Sequence, residues 1–311
     1  MPSRPRSRRL LPWLLLLTWV LPPLLALLGA APARAQELGG TLERIAQTGT
    51  INLGHREYAV PFSYYDDRKQ VTGYSHELML RLLDGIKAEL KLPALTLRLV
   101  PVTAQNRIPL VQNGTVDLEC AATSHTAERE RQVAFSHSIF VVGIRLLVHK
   151  DSGVNDFADL EGRRVAVIAG TTSERLLHTW NESHGRRAKV LLARDQGDAF
   201  RLLEEGEAQA VIHDDALLHA QRAKARKPED WRVVGTPLAS EVYACMLRKG
   251  DAAFKAVVDR GLERLMRSGE ALRLYQRWFQ KPIPPRGLNL NWPPSEPLLQ
   301  LYRNPNDRLP G

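Results

Sequence analysis

The 311-residue chain has little cysteine: only Cys120 and Cys245. Neither has a CxxC partner, and the nine histidines show no metal-ligand spacing, which argues against a zinc site or a thioredoxin-like redox motif. A G-x-S-x-G elbow, a Walker A loop and a G-x-G-x-x-G turn are all missing, so the common nucleophile and phosphate-binding signatures do not apply. Beyond the first 28 residues no apolar run could span a bilayer, and no repeat occurs at solenoid periods. The expectation is a chain with no catalytic residue, no metal and no cofactor.

Acidic residues are also missing before Glu37, while Arg4, Arg6, Arg8 and Arg9 form a cationic start. Leu10 to Leu28 is apolar, interrupted by Pro22-Pro23, and Ala33-Arg34-Ala35 supplies a small-x-small cleavage pattern. Residues 1–35 therefore read as a cleaved export signal. No cysteine lies near the cut, so no lipid anchor is expected and the mature protein should be soluble and exported. Removing this segment takes away five arginines and no acid, so the net charge falls from +9 to +4. That modest, mixed charge argues against a nucleic-acid partner. In an exported chain two cysteines suit one long-range disulfide, with two buried free thiols as the alternative.

The rest alternates strand-like and helix-like segments, the pattern of an α/β protein with parallel sheets. Strand candidates are Ile51–Leu53, Leu97–Val100, Val165–Ile168, Lys189–Leu192 and Ala208–Ile212. Val116, Leu118 and Cys120 alternate with Asp117 and Glu119, as a half-buried strand does. Helical spacing covers Leu78–Leu90, Asn106–Gln112, Glu174–Trp180, Ala199–Glu205, Ala216–Lys224 and Ala253–Phe279. Two longer runs, Val141–His149 and Glu241–Arg248, read as crossovers. They would make residues 149–243 one lobe and 36–148 plus 244–311 the other, with a hinged cleft between them. The proline-rich stretch after Lys281 is expected to lie extended.

Ligands of open α/β sheets bind beyond the carboxyl ends of the strands. Arg56, Arg107, Arg129, Thr171, Thr172, Gln196 and Asp214 all fall in strand-to-helix turns on this reading. Buried arginine is costly unless an anion meets it, and its planar fork suits carboxylates. Three arginines with one aspartate fit an acidic amino acid: cations for two carboxylates and Asp214 for the ammonium. Each has a duller reading. Arg56 and Arg129 sit beside glutamates and could be solvated, Arg107 could be a buried ion-pair partner, and Asp214-Asp215 could cap a helix.

Longer motifs carry a family resemblance. GHREYAVPFSYYD (Gly54–Asp66), QNRIPLVQNGTVDLEC (Gln105–Cys120), ERERQVAFS (Glu128–Ser136), DFADLEGRRVAV (Asp156–Val167), GTTSE (Gly170–Glu174) and CMLRKGD (Cys245–Asp251) are similar to the periplasmic glutamate/aspartate-binding proteins of ABC importers. The resemblance spans about Leu42 to Asp307. It implies a type II periplasmic binding fold of two α/β lobes joined by two crossover strands, with the ligand held between them. It implies that Arg129, Ser124 and Thr172 hold the α-carboxylate, that Arg56 and Arg107 serve the side-chain carboxylate, and that Asp214 meets the ammonium. It further implies a Cys120–Cys245 disulfide, a periplasmic location, ABC permease subunits as partners and a monomeric state. Alternatives are a cyclohexadienyl-dehydratase-like enzyme on the same fold and a ligand-sensing partner of a membrane receptor.

The chain also departs from that family. Ala104 and Ala122 stand where the family has serines, and Gln196 stands where it has histidine. Each lost hydrogen bond to a charged group is worth about 1–3 kcal/mol.

Overall fold

The computed structural model describes residues 40–185, 187–285 and 287–310; the expected export segment 1–35 lies outside the described residues. The chain opens with α1 (Thr41–Thr48), β1 (Thr50–His55) and a small antiparallel sheet of β2 (Tyr58–Ala59), β3 (Ser63–Tyr65) and β4 (Val71–Thr72). Next come α2 (Tyr74–Leu90), β5 (Thr96–Pro101), α3 (Arg107–Gln112), β6 (Leu118–Glu119) and α4 (Ala127–Glu130). A 16-residue strand, β7 (Ala134–His149), leads into β8 (Arg164–Ile168), α5 (Thr172–Ser183), β9 (Lys189–Ala193), α6 (Gln196–Glu204), β10 (Ala210–Asp214), α7 (Asp215–Lys224) and β11 (Trp231–Val234). β12 (Ser240–Leu247) returns, followed by α8 (Ala252–Arg267), α9 (Glu270–Phe279) and α10 (Glu296–Arg303).

One nine-stranded sheet runs β5-β1-β6-β12-β7-β10-β8-β9, with β11 also paired to β7. β7 takes part in both halves. Residues 134–143 pair antiparallel with β12, and residues 144–149 pair with β10 and β11. The hydrophobic clusters divide along the same line. Val142 belongs with Phe62, Tyr74 and Phe279, while Ile144 belongs with Val165, Leu177 and Ile212. Strands buried on both faces read as continuous apolar runs, which is why RVAVI and AVIHD stand out in the sequence.

Helix packing follows from spacing. In α2 the buried residues Tyr74, Leu78, Leu82 and Ile86 recur every fourth position and meet α8. Gly261 permits that approach, since a Cβ there would come within 2.8 Å of Leu82.

Three local expectations need correction. The β6 stretch is not half-buried: Asp117 and Glu119 are both buried, and each carboxylate has a partner inside the protein. Asp117 is matched by Arg44 and by the Asn52 amide, which donates to it at 2.7 Å. The periodic stretch Ala253–Phe279 is two helices, broken at Gly269, where φ is 75°. The tail is not simply extended. Ser295 caps α10, Pro297 sits in its first turn where an absent N–H costs nothing, and Leu298, Leu301 and Tyr302 are buried. Among the described residues, no helix is long and apolar enough to cross a membrane.

Candidate functional site

The ends of β1, β8 and β10, with the turns that follow them, deliver side chains to one cavity. It is walled by Arg56, Arg107, Ala122 and Ser124 on one side and by Thr171, Thr172, Gln196 and Asp214 on the other, with His213 and Leu217 completing it. Six of the seven turn residues singled out in the sequence thus share a cavity. The seventh, Arg129, is buried and bonded to the Ser124 carbonyl but does not line the cavity.

Arg129 follows from its cap. Thr126 accepts the Arg129 amide at 3.2 Å and starts α4, which turns the side chain inward. Its Nη1 donates to the Ser124 carbonyl at 2.8 Å and its Nη2 to the Gly170 carbonyl at 3.3 Å. The solvated reading of Arg129 does not hold. Burial and the nearby Arg107 lower its pKa to about 9. Gly170 takes φ 78°, and a Cβ there would lie 3.1 Å from the Ala104 carbonyl carbon, so glycine lets these turns approach.

Arg107, the first residue of α3, is equally enclosed. Its Nη1 donates to the Ala122 carbonyl at 3.1 Å and to Thr123 Oγ1 at 2.5 Å, while its Nε has no partner. Thr123 passes its own hydroxyl to Glu119, 2.9 Å from Oε2. Burial raises the Glu119 pKa against the pull of Arg107, and burial lowers that of Arg107. Among the described residues the Arg56 guanidinium makes no hydrogen bond. Burial, then Arg107, bring its pKa to about 10, still charged at neutral pH.

Asp214 ends β10. It does not cap α7 with its side chain; Asp215 does, accepting the Ala216 amide at 2.8 Å. Tyr243 donates its hydroxyl to Asp214 Oδ2, and Oδ1 accepts no hydrogen bond, with His213 Nδ1 3.4 Å away. Burial opposes its ionisation, but His213, Tyr243 and Arg107 outweigh that and hold its carboxyl below the usual range. Gln196 Oε1 is likewise buried and unpartnered. On the other side Thr172 Oγ1 donates to Glu241 Oε2 at 2.7 Å and lies 3.4 Å from Ser124 Oγ. Below the site Cys120 and Cys245 form a disulfide with Cα atoms 4.3 Å apart, tying β6 to β12.

Reading the sequence missed Glu119, Thr123, Glu241, Tyr243 and His213. Glu119 alternates with apolar residues and so looks solvent-facing, while Glu241 stands at the start of an apolar run. Only the sheet order shows that both are enclosed. What the arrangement offers is an enclosed pocket with cations at several points, an Asp214 oxygen that accepts no hydrogen bond, and hydroxyls between them.

The model of the bacterial extracellular solute-binding proteins, family 3, matches residues 51–281. The L-glutamate/L-aspartate-binding protein of Pseudomonas aeruginosa is 51% identical over 92% of this chain and 95% of its own. The glutamate/aspartate import solute-binding protein of Escherichia coli is 47% identical over 90% of this chain and 91% of its own. Among solved structures, an ancestral amino acid-binding protein, a precursor of cyclohexadienyl dehydratase, is 28% identical with a TM-score of 0.67, covering 78% of this chain and all of its own (100%). The type II periplasmic fold, two α/β lobes joined by β7 and β12, agrees with these matches. The chain belongs to the bacterial extracellular solute-binding proteins, family 3.

Proposed function

We infer that this protein captures an acidic amino acid, glutamate or aspartate, between its two lobes and presents the closed form to the membrane subunits of an ABC permease. The observation that carries the reading is the pairing of opposite deficits in one cavity. Among the described residues the Arg56 guanidinium makes no hydrogen bond and the Nε of Arg107 has no acceptor, while Asp214 Oδ1 accepts none, His213 Nδ1 lying 3.4 Å away. A molecule with a carboxylate at one end and an ammonium at the other satisfies both.

Arg129 has five N–H groups, two of them spent on carbonyls, and the others suit an α-carboxylate together with Ser124 and Thr172. Arg56 and Arg107 suit the distal carboxylate, and Asp214 suits the ammonium. The lobe limits 36–148 plus 244–311 and 149–243 belong to this reading, supported by the division of hydrophobic clusters along β7. So do an exported, periplasmic, monomeric state and closure driven by tighter binding to the closed form.

Calorimetric titration with glutamate, aspartate, glutamine and glutarate tests it. Glutamate or aspartate should bind most tightly. A preference for glutamine would undo the roles of Arg56 and Arg107, and equal binding of glutarate would undo that of Asp214. Uptake in a deletion strain separates transport from sensing.

The protein on this reading is a binder and not an enzyme. A lyase on this fold would need a carboxylic acid of raised pKa, and Glu119 and Glu241 both have one. Both carboxyls are already engaged by threonine hydroxyls. Incubation with prephenate or arogenate should give no product.

A further inference from the structure

The sequence suggests three cations and one anion around the guest, but the structure encloses more acid than that. Arg56, Arg107 and Arg129 share their buried surroundings with Glu119, Asp214 and Glu241. Among themselves these six charges cancel, with His213 Nδ1 lying 3.4 Å from Asp214 Oδ1. A guest of net charge −1 adds a fourth anion opposite three enclosed arginines, an excess that is unfavourable in a closed site.

A second observation concerns hydrogen-bond direction. Thr172 has one hydroxyl proton, and it points at Glu241 Oε2, 2.7 Å away. A hydroxyl that donates to Glu241 cannot also donate to the guest's carboxylate. Ser124 Oγ, 3.4 Å from Thr172 Oγ1, belongs to the same chain of hydroxyls.

We propose that Glu241 takes up one proton from solvent when the guest is captured, and so turns the Thr172 hydroxyl toward the guest's carboxylate. The proposal rests on the acidic amino acid reading above. Protonated Glu241 donates its O–H to Thr172 Oγ1. Thr172 is then free to donate its own proton to the carboxylate, and the three arginines face three anions. Glu241 is a positioning residue, acting through Thr172.

The groups facing Glu241 favour this. Asp214 comes from the end of β10, Arg129 from α4 and Arg107 from α3, with Tyr243 two residues along β12. Burial, then the charge of Asp214, raises the Glu241 pKa, while Ser124, Thr172 and Arg129 act the other way. A second anion arriving beside it pushes in the same direction as Asp214.

The test is glutamate titration of the purified protein between pH 6 and 8, in buffers of differing ionisation enthalpy. Proton uptake should rise toward one per glutamate as pH rises, with affinity falling by up to about tenfold per pH unit. Glu241→Gln presents an amide donor to Thr172 at every pH, so uptake should vanish and the affinity profile should flatten. If that variant does not fold, Thr172→Val serves instead: it removes the donor that favours ionised Glu241, and the onset of uptake should move to higher pH. Glutamate binding without proton uptake overturns this proposal alone. Uptake that persists in Glu241→Gln places the proton elsewhere and also overturns it. A protein that binds neither glutamate nor aspartate at any pH refutes the ligand reading instead.

Discussion

Beside one end of the cavity, outside its wall, Arg129 donates to two backbone carbonyls, Thr126 fixes its helix, and Ser124, Thr172 and Glu241 are linked through hydroxyls. At the other end Arg56 makes no hydrogen bond among the described residues, and the Nε of Arg107 and Oε1 of Gln196 are unpartnered. The first end is assembled before any guest arrives. The second leaves polar atoms that only a guest or a water can satisfy. An assembled end holds the part common to every amino acid. An unsatisfied end discriminates, because a wrong guest leaves its groups unpaired.

Substitutions can break this contrast. Arg129→Met removes the assembled end, and glutamate and glutamine binding should both weaken by about a thousandfold or more, as measured by calorimetry. If only glutamate suffers, the two ends have been assigned the wrong way round. Replacing Cys120 and Cys245 by alanine loosens the β6–β12 tie beneath both ends. Thermal or urea unfolding should show a loss of about 2–4 kcal/mol, with the glutamate-to-glutamine preference unchanged.

Arg56→Gln acts at the discriminating end alone. Glutamate affinity should drop by about tenfold while glutamine affinity holds, so the preference narrows. An equal loss for both amino acids would make Arg56 a structural ion.

At Asp215, outside either end, the effect falls on stability and leaves binding alone. Burial raises its pKa to about 6. Its unfolded value is lower, so the stability it contributes is complete below about pH 4 and is lost as pH rises through about 6. Asp215→Asn should flatten the melting temperature between those limits and leave ligand preference alone.

The sequence disclosed the cations better than the anions. Arg56, Arg107 and Arg129 were visible because an arginine in a strand-to-helix turn asks for an acceptor. Cys120 and Cys245 were visible through cysteine pairing. Glu119 was hidden by strand alternation, which assigns every second residue to solvent unless the sheet is covered on both faces, and Glu241 by its place at the start of a strand. That covering depends on strand order, and strand order arises from pairings far apart in the chain. The α10 helix was hidden by its prolines, since residues 282, 284, 285, 293 and 294 suggest an extended path right up to the Ser295 cap.

β7 has a consequence for anyone wishing to dissect the molecule. Its first ten residues complete one half of the sheet and its last six complete the other. Neither half can be excised without leaving its former neighbour a raw edge, open to pairing with stray chains. Chimeras between relatives should therefore exchange surface turns and keep this shared spine whole.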